Sequence, residues 1–298
     1  MIRKQTVLIL GAGASMDFDY PSGRELKDVI VEHTLSANND VYRQLLRAGF
    51  HASKIKDFND ALRFSGRVSV DAFLEHRPEF INVGKAAVAA ELIRKENPDT
   101  LFRLGGNWYE HLFQALNTSF ASVGENNIGI VTFNYDRSFE TYLFMALTNA
   151  YGKSEDDVSN VLASIPVYHV HGKLGSLPWG AENGRPYKYT NDPDEIYQAA
   201  NEIRIMAEAS DIEDAFRDAK KLISMSKRLI FIGFGFHSQN VLRLGIDLES
   251  GQHENFGSAY GFTELEKAEI VEMFRPSVIK LGDSEWKSTQ FLREMISW

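Results

Sequence analysis

Cysteine is absent from all 298 residues. That single absence excludes disulfides, thiolate zinc sites and a cysteine nucleophile, and leaves the redox compartment open. No window approaches the roughly 20 apolar residues that a membrane helix needs. At the amino end, Met1 to Thr6 leads into Val7-Leu8-Ile9-Leu10, and four apolar residues are too few for a signal-peptide core. The expectation is a soluble cytoplasmic protein that does not engage a membrane. Positive charge is also short: 32 Lys and Arg face 41 Asp and Glu, a net charge of −9. The basic residues are scattered or paired with acids, so direct binding to nucleic-acid phosphates is not expected. Internal repeats, coiled-coil heptads and low-complexity tracts are missing as well.

What is present suffices for a large core, with 44% hydrophobic and 12% aromatic residues. Four short apolar runs each end in glycine or polar residues, the look of buried parallel strands opening into turns. Val7 to Leu10 precedes Gly11-Ala12-Gly13-Ala14-Ser15. Ile128 to Thr132 precedes Phe133-Asn134-Tyr135-Asp136, Pro166 to Val170 precedes His171-Gly172, and Leu229 to Ile232 precedes Gly233-Phe234-Gly235-Phe236. A last strand is expected at Val278 to Leu281.

Helical patterns lie between them: Val83 to Lys95, Tyr109 to Phe120, and Phe139 to Ala150, the last apolar nearly all round. Asp211 to Arg228 places Asp211, Glu213 and Asp214 first and Lys220, Lys221, Lys227 and Arg228 last, as the helix dipole favours. Thr263 and Glu266 fit a capping box, and Ser238 is a candidate cap. Alternating strands and helices indicate an α/β fold, a doubly wound parallel sheet. Residues 28–125 hold no convincing strand and are expected to form a mostly helical insertion within one domain of residues 1–298. The polar stretch Gly180 to Asp194 is expected to be a mobile surface loop.

Gly11-x-Gly13-x-Ser15 after a strand is an arrangement that lets backbone N–H groups approach a pyrophosphate, and equally a plain tight turn. A nicotinamide dehydrogenase would carry a third glycine where Met16 stands, and a second strand ending in an acid about 20 residues on. Neither is present.

Taken in order, GAGAS, YPSGREL, VTFNYD, VYHVHGKLGS and LIFIGFGFHSQN resemble the cofactor-binding core of sirtuins and of their bacterial relatives. The resemblance implies a Rossmann-like, sirtuin-type fold with NAD as substrate. It implies that Gly11, Ala12, Gly13 and Ser15 hold phosphates, that Asn134 and Asp136 line the nicotinamide end, and that His171 is the catalytic base. Protein-deacylating sirtuins carry a four-cysteine zinc module, which this chain lacks. They also carry Gln where Phe133 stands and Asp-Phe-Arg where Ser22-Gly23-Arg24 stands. The likeness therefore points to the bacterial branch associated with NAD depletion in antiphage defence, and to no metal.

The residue types suit that chemistry. Nicotinamide leaves as a neutral base from a cationic ring, through an oxocarbenium-like sugar as in glycoside hydrolysis. An imidazole at His171 can take a proton from water or a ribose hydroxyl. Asn134 can donate to a ribose hydroxyl and accept from water, or be a turn amide bonding its own backbone. Asp136 either orients a neighbouring donor or caps the helix beginning near Ser138. His169 and His171 are read as one packed and one catalytic histidine rather than a metal pair. The second glycine loop, Gly233 and Gly235 with Phe236 or His237 beside it, admits the adenosine half or simply turns the chain. Phe133 is grouped with the NAD-binding residues, and Arg24 pairs with a phosphate, a nearby acid or solvent.

The expected function is hydrolysis of NAD to nicotinamide and ADP-ribose, under control of a homo-oligomer or a separate activating partner. An NAD-sensing or ADP-ribose-sensing regulatory subunit is the alternative, followed by a deacylase or ADP-ribosyl transferase.

Overall fold

Three all-buried strands form the centre of the molecule: β1 (Thr6–Leu10), β2 (Ile128–Thr132) and β4 (Arg228–Ile232). The computed structural model describes residues 1–103, 105–205 and 209–298. With β3 (Val167–His169), β5 (Glu254–Gly257) and β6 (Ile279–Leu281), these strands make one parallel sheet in the order β3-β2-β1-β4-β5-β6. That is the doubly wound Rossmann-like order, which reverses direction between β1 and β4. Parallel strands covered on both faces need apolar side chains in both directions, which explains the unbroken runs.

Alternation along β1 distributes the core. Leu8 and Leu10 point into one apolar cluster with Ile130, Ile230 and Ile232. Val7 and Ile9 point into the other, with Val131, Leu229 and Phe231. Helices flanking the sheet seal both clusters. The residues between β1 and β2 carry helices that include Gly23–Leu35, Ala52–Phe64, Val70–Leu74, Ile81–Ile93 and Trp108–Leu116. Among the described residues, no helix is long and apolar enough to cross a membrane.

The helix expected over 211–228 spans Ala209–Ser224 instead. Arg228 opens β4, where its guanidinium bonds the Ser297 carbonyl at 2.9 Å. Asp211 and Glu213 lie outside the residues whose side chains are described. Thr263 caps its helix reciprocally with Glu266, but Ser238 is already inside the next helix, whose cap position is His237. β5 had no counterpart in the sequence reading.

Strand register brings the chemistry to one edge. Leu10 pairs with Thr132 and with Ile232, and Thr132 pairs with His169. The segments that follow, starting at Gly11, Phe133, Val170 and Gly233, therefore emerge side by side at the carboxyl edge.

Candidate functional site

The first glycine turn is built against the loop after β4. Gly13 N donates to Gly233 O at 3.0 Å, and a Cβ on Gly11 would sit 2.5 Å from that same oxygen. Gly233 has φ +56, and a Cβ there would lie 2.1 Å from Ala14 N. The glycines thus let two backbones meet at distances no side chain permits. Two amides of the residues expected to hold phosphates are bonded within the protein, Gly11 N to Ile232 O and Gly13 N to Gly233 O, and the neighbouring Ala14 N bonds Gly11 O. The turn continues as a 3-10 helix, Ala12–Phe18, with the Trp108 indole N–H bonded to Ala14 O at 2.7 Å.

Behind this turn runs a directed chain of hydrogen bonds. Asp136 is buried and its Oδ2 accepts from Ser15 Oγ at 2.7 Å. A carboxylate only accepts, so the Ser15 hydroxyl spends its one proton there. Ser15 Oγ must then accept from Asn134 Nδ2 at 3.1 Å, while Nδ2 also donates to Gly11 O at 3.0 Å. Both amide protons of Asn134 are used, which leaves Oδ1 as the atom available to a ligand. Asp136 Oδ1 accepts from the amide and hydroxyl of Ser138, at the start of the helix Ser138–Tyr151. Burial pushes the Asp136 carboxyl up, against the hydrogen bonds from Ser138 and Ser15.

The two histidines after β2 and β3 differ in kind. His169 Nδ1 bonds the Asn134 carbonyl at 2.9 Å and Nε2 bonds Glu140 Oε1 at 2.8 Å. Both ring nitrogens are thus engaged by oxygen atoms of the protein. Burial would raise Glu140, but the charge and hydrogen bond of His169 hold it down to about 2. His171 instead meets aromatic rings, Phe133 at 5.4 Å and Phe216 at 6.0 Å between centroids. Burial lowers its pKa below the ordinary histidine value, partly offset by Asp71 and reinforced by Arg243. Its backbone is fixed by Arg204 N donating to His171 O at 2.8 Å.

A cavity of about 590 Å³ opens over these strand ends. Gly11, Ala12, Gly13, Phe133, Asn134 and His171 line it, as do Gly233 and Gly235. Ser15 and Asp136 stand behind its wall. Arg24 is exposed on the helix Gly23–Leu35 and is not among the lining residues, although its neighbours Ser22 and Gly23 are. Phe236 is also outside: at φ +49 it turns into the core against Phe231, Phe234 and Phe274. His237 takes a place in the lining instead. A second cavity of about 390 Å³, with Ser258, Phe262 and Lys287, shares Gly13, Gly233, Phe234 and Gly235 with the first. The two lie on either side of the Gly233 loop.

Asp71, Glu75 and Arg204 also line the larger cavity. None carried a signal in the sequence, because the first two come from the helical segment, far along the chain from any strand tip.

The stretch expected to be mobile is strapped down over 0%-exposed charges. Arg137 Nη2 bonds Glu96 at 2.7 Å, and Arg185 Nη1 bonds the same carboxylate at 2.6 Å. Arg137 Nη1 also holds the carbonyls of Ser176 and Arg185. Trp179 stacks on Phe144 at 3.8 Å, and Tyr187 is buried with its hydroxyl 2.9 Å from that of Tyr20. Polar composition hid these anchors.

A family model described as a SIR2-like domain matches residues 128–270, from β2 into the helix Glu264–Met273. That stretch holds Asn134, Asp136, His171 and the Gly233 loop, while β1 and the first glycine turn precede it. The match supports a sirtuin-like family, whose members are usually NAD-dependent enzymes with NAD as substrate. No curated protein matches the chain.

Proposed function

We propose that the protein is an NAD glycohydrolase, cleaving NAD to nicotinamide and ADP-ribose. The observation that carries this reading is that His171 and Asn134 line one cavity with both glycine loops, at the carboxyl edge of a doubly wound sheet. The NAD-related character of SIR2-like domains supplies the substrate class.

In this reading the bond between the ribose C1′ and the nicotinamide nitrogen breaks, and its electron pair neutralises the pyridinium. A water oxygen forms the new bond to C1′ and gives its proton to His171, which returns it to solvent. A lowered histidine pKa keeps the imidazole unprotonated at neutral pH, as a base requires. Asn134 Oδ1 accepts from the water or a ribose hydroxyl and so fixes the attack geometry. Asp136 acts through Ser15 on Asn134, and its place behind the cavity wall favours orientation over direct contact. The second cavity, beyond the Gly233 loop, suits the adenosine half, with Asp17, Ser258, Tyr260, Lys287 and Ser288 as its polar lining residues.

Residues 1–298 act as one sirtuin-like domain, with 28–125 as a helical insertion that supplies part of the cavity wall. The resemblance to the antiphage branch gives the setting, NAD depletion in a bacterial cell. An unrestrained hydrolase would be toxic there, so its activity is under the control of a homo-oligomer or a separate activating partner. The test is purified protein incubated with NAD, with and without candidate activators, followed by chromatography for free nicotinamide. Tight NAD binding without turnover under all conditions would replace the hydrolase with the sensing subunit. Release of acetyl from an acetyl-lysine peptide only when NAD is present would favour a deacylase.

A further inference from the structure

The helix Val70–Leu74 brings a carboxylate to the cavity that holds His171. Ser69 caps this helix through Ala72 N at 3.2 Å, and Phe73 and Leu74 are buried in the core of the helical segment. That packing leaves Asp71 facing the opposite way, into the cavity, where the Tyr135 hydroxyl donates to its Oδ1. Tyr135 lies between Asn134 and Asp136 on the loop after β2. One loop therefore supplies an amide to the cavity and at the same time fixes the carboxylate that stands over it.

We propose that Asp71, held by the Tyr135 hydroxyl, is the acidic partner of His171. This deepens the hydrolase reading and rests on it for the chemical step. An imidazole half-buried against Phe133 and Phe216 is only partly solvated, and burial resists the positive charge it gains on taking a proton from water. A carboxylate on the wall of the same cavity offsets that resistance as the proton moves, the logic by which a third group supports a base. The charge balance around the ring agrees: Asp71 favours the protonated imidazole while Arg243 opposes it. Among the described residues, Glu75, Arg204 and His237 also line this cavity. Asp71 acts through His171 and is a positioning residue.

The test uses the full chain with Asp71→Asn, Asp71→Glu and Tyr135→Phe. Proton NMR follows the His171 ring across pH 5 to 8, its signals assigned by loss in His171→Gln. NAD hydrolysis is measured over the same range. With Asp71→Asn the His171 midpoint is expected to move to lower pH by ~0.5 unit or more. The kcat is expected to fall on the order of 10-fold with KM little changed. Asp71→Glu should recover part of both effects, and Tyr135→Phe should move the midpoint the same way by less. An unmoved midpoint in both Asp71→Asn and Tyr135→Phe overturns the pairing, as does an unchanged kcat in an active enzyme. A wild type that never cleaves NAD but whose His171 midpoint moves with Asp71→Asn fails the hydrolase reading alone and leaves the pairing standing.

Discussion

Ser15 Oγ stands 2.7 Å from Asp136 Oδ2, and that contact decides which way the amide of Asn134 faces. Removing the hydroxyl frees Asn134 to rotate without emptying the cavity. Ser15→Ala is therefore expected to lower kcat more than it raises KM for NAD. The expected stability loss is about 1–3 kcal/mol, because Asp136 loses a buried donor. Steady-state kinetics beside urea unfolding separates the two effects. A variant with wild-type kcat would mean that Asn134 needs no such guide.

The Glu140–His169 pair gives the fold an acid-sensitive contact. Glu140 is held down to about 2 in the folded chain, below its ordinary 4.5. A depressed carboxylate contributes stability that is fully present above about 4.5 and is lost as pH falls toward 2. The shift corresponds to about 3 kcal/mol. Glu140→Gln should be less stable than wild type at neutral pH, and the gap should close between roughly pH 4.5 and 2. Unfolding curves at a series of pH values check this. Asp136 and Glu96 are raised and act in the opposite direction, so the difference between variants, rather than the wild-type curve, isolates the pair.

Gly172 follows the proposed base at φ +72, and a Cβ there would fall 1.9 Å from Glu202 O. The residue also bridges to Ile203, antiparallel. Gly172→Ala is expected to break that bridge and shift His171, lowering the melting temperature by several degrees and the hydrolysis rate by 10-fold or more. Calorimetry and initial rates test both. Equal loss in stability with no loss in rate would detach the bridge from the site.

Arg137 and Glu96 are fully buried, and removing one leaves the other charge without its main partner. Arg137→Met is expected to destabilise the fold by ~3–5 kcal/mol. Glu96→Gln in the same chain should not restore it fully, since the carbonyls of Ser176 and Arg185 lose their donor as well. The segment around Trp179 and Tyr187 should become susceptible to proteolysis first in Arg137→Met. Limited proteolysis with mass mapping reads this out.

The sheet was legible wherever burial on both faces forced a continuous apolar run, as in Val7 to Leu10 or Leu229 to Ile232. β5 escaped because its sequence, Glu254-Asn255-Phe256-Gly257, is held by partners distant in the chain. Asn255 Nδ2 bonds Ser277 Oγ and the Val278 carbonyl, and Glu254 pairs with Lys4. Asn134 after β2 and His171 after β3 were legible as cavity groups because strand register carries them to one edge, whereas Asp136 turns behind the wall to Ser15 and Ser138. Arg24 and Phe236 were not, since adjacency to a glycine turn does not fix side-chain direction. Helical periodicity turns Leu26 and Ile30 inward and Arg24 outward, and the positive φ of Phe236 sends its ring into the core. Asp71 could not be read at all: only the packing of Phe73 and Leu74 aims it at the cavity.

The most direct test of the central claim is the release of nicotinamide from NAD by wild type, His171→Ala and Asn134→Ala under the same activating conditions. A wild type that releases nicotinamide, with both variants at least 10²-fold slower and still folded, is the predicted result. Equal rates in all three proteins would contradict it.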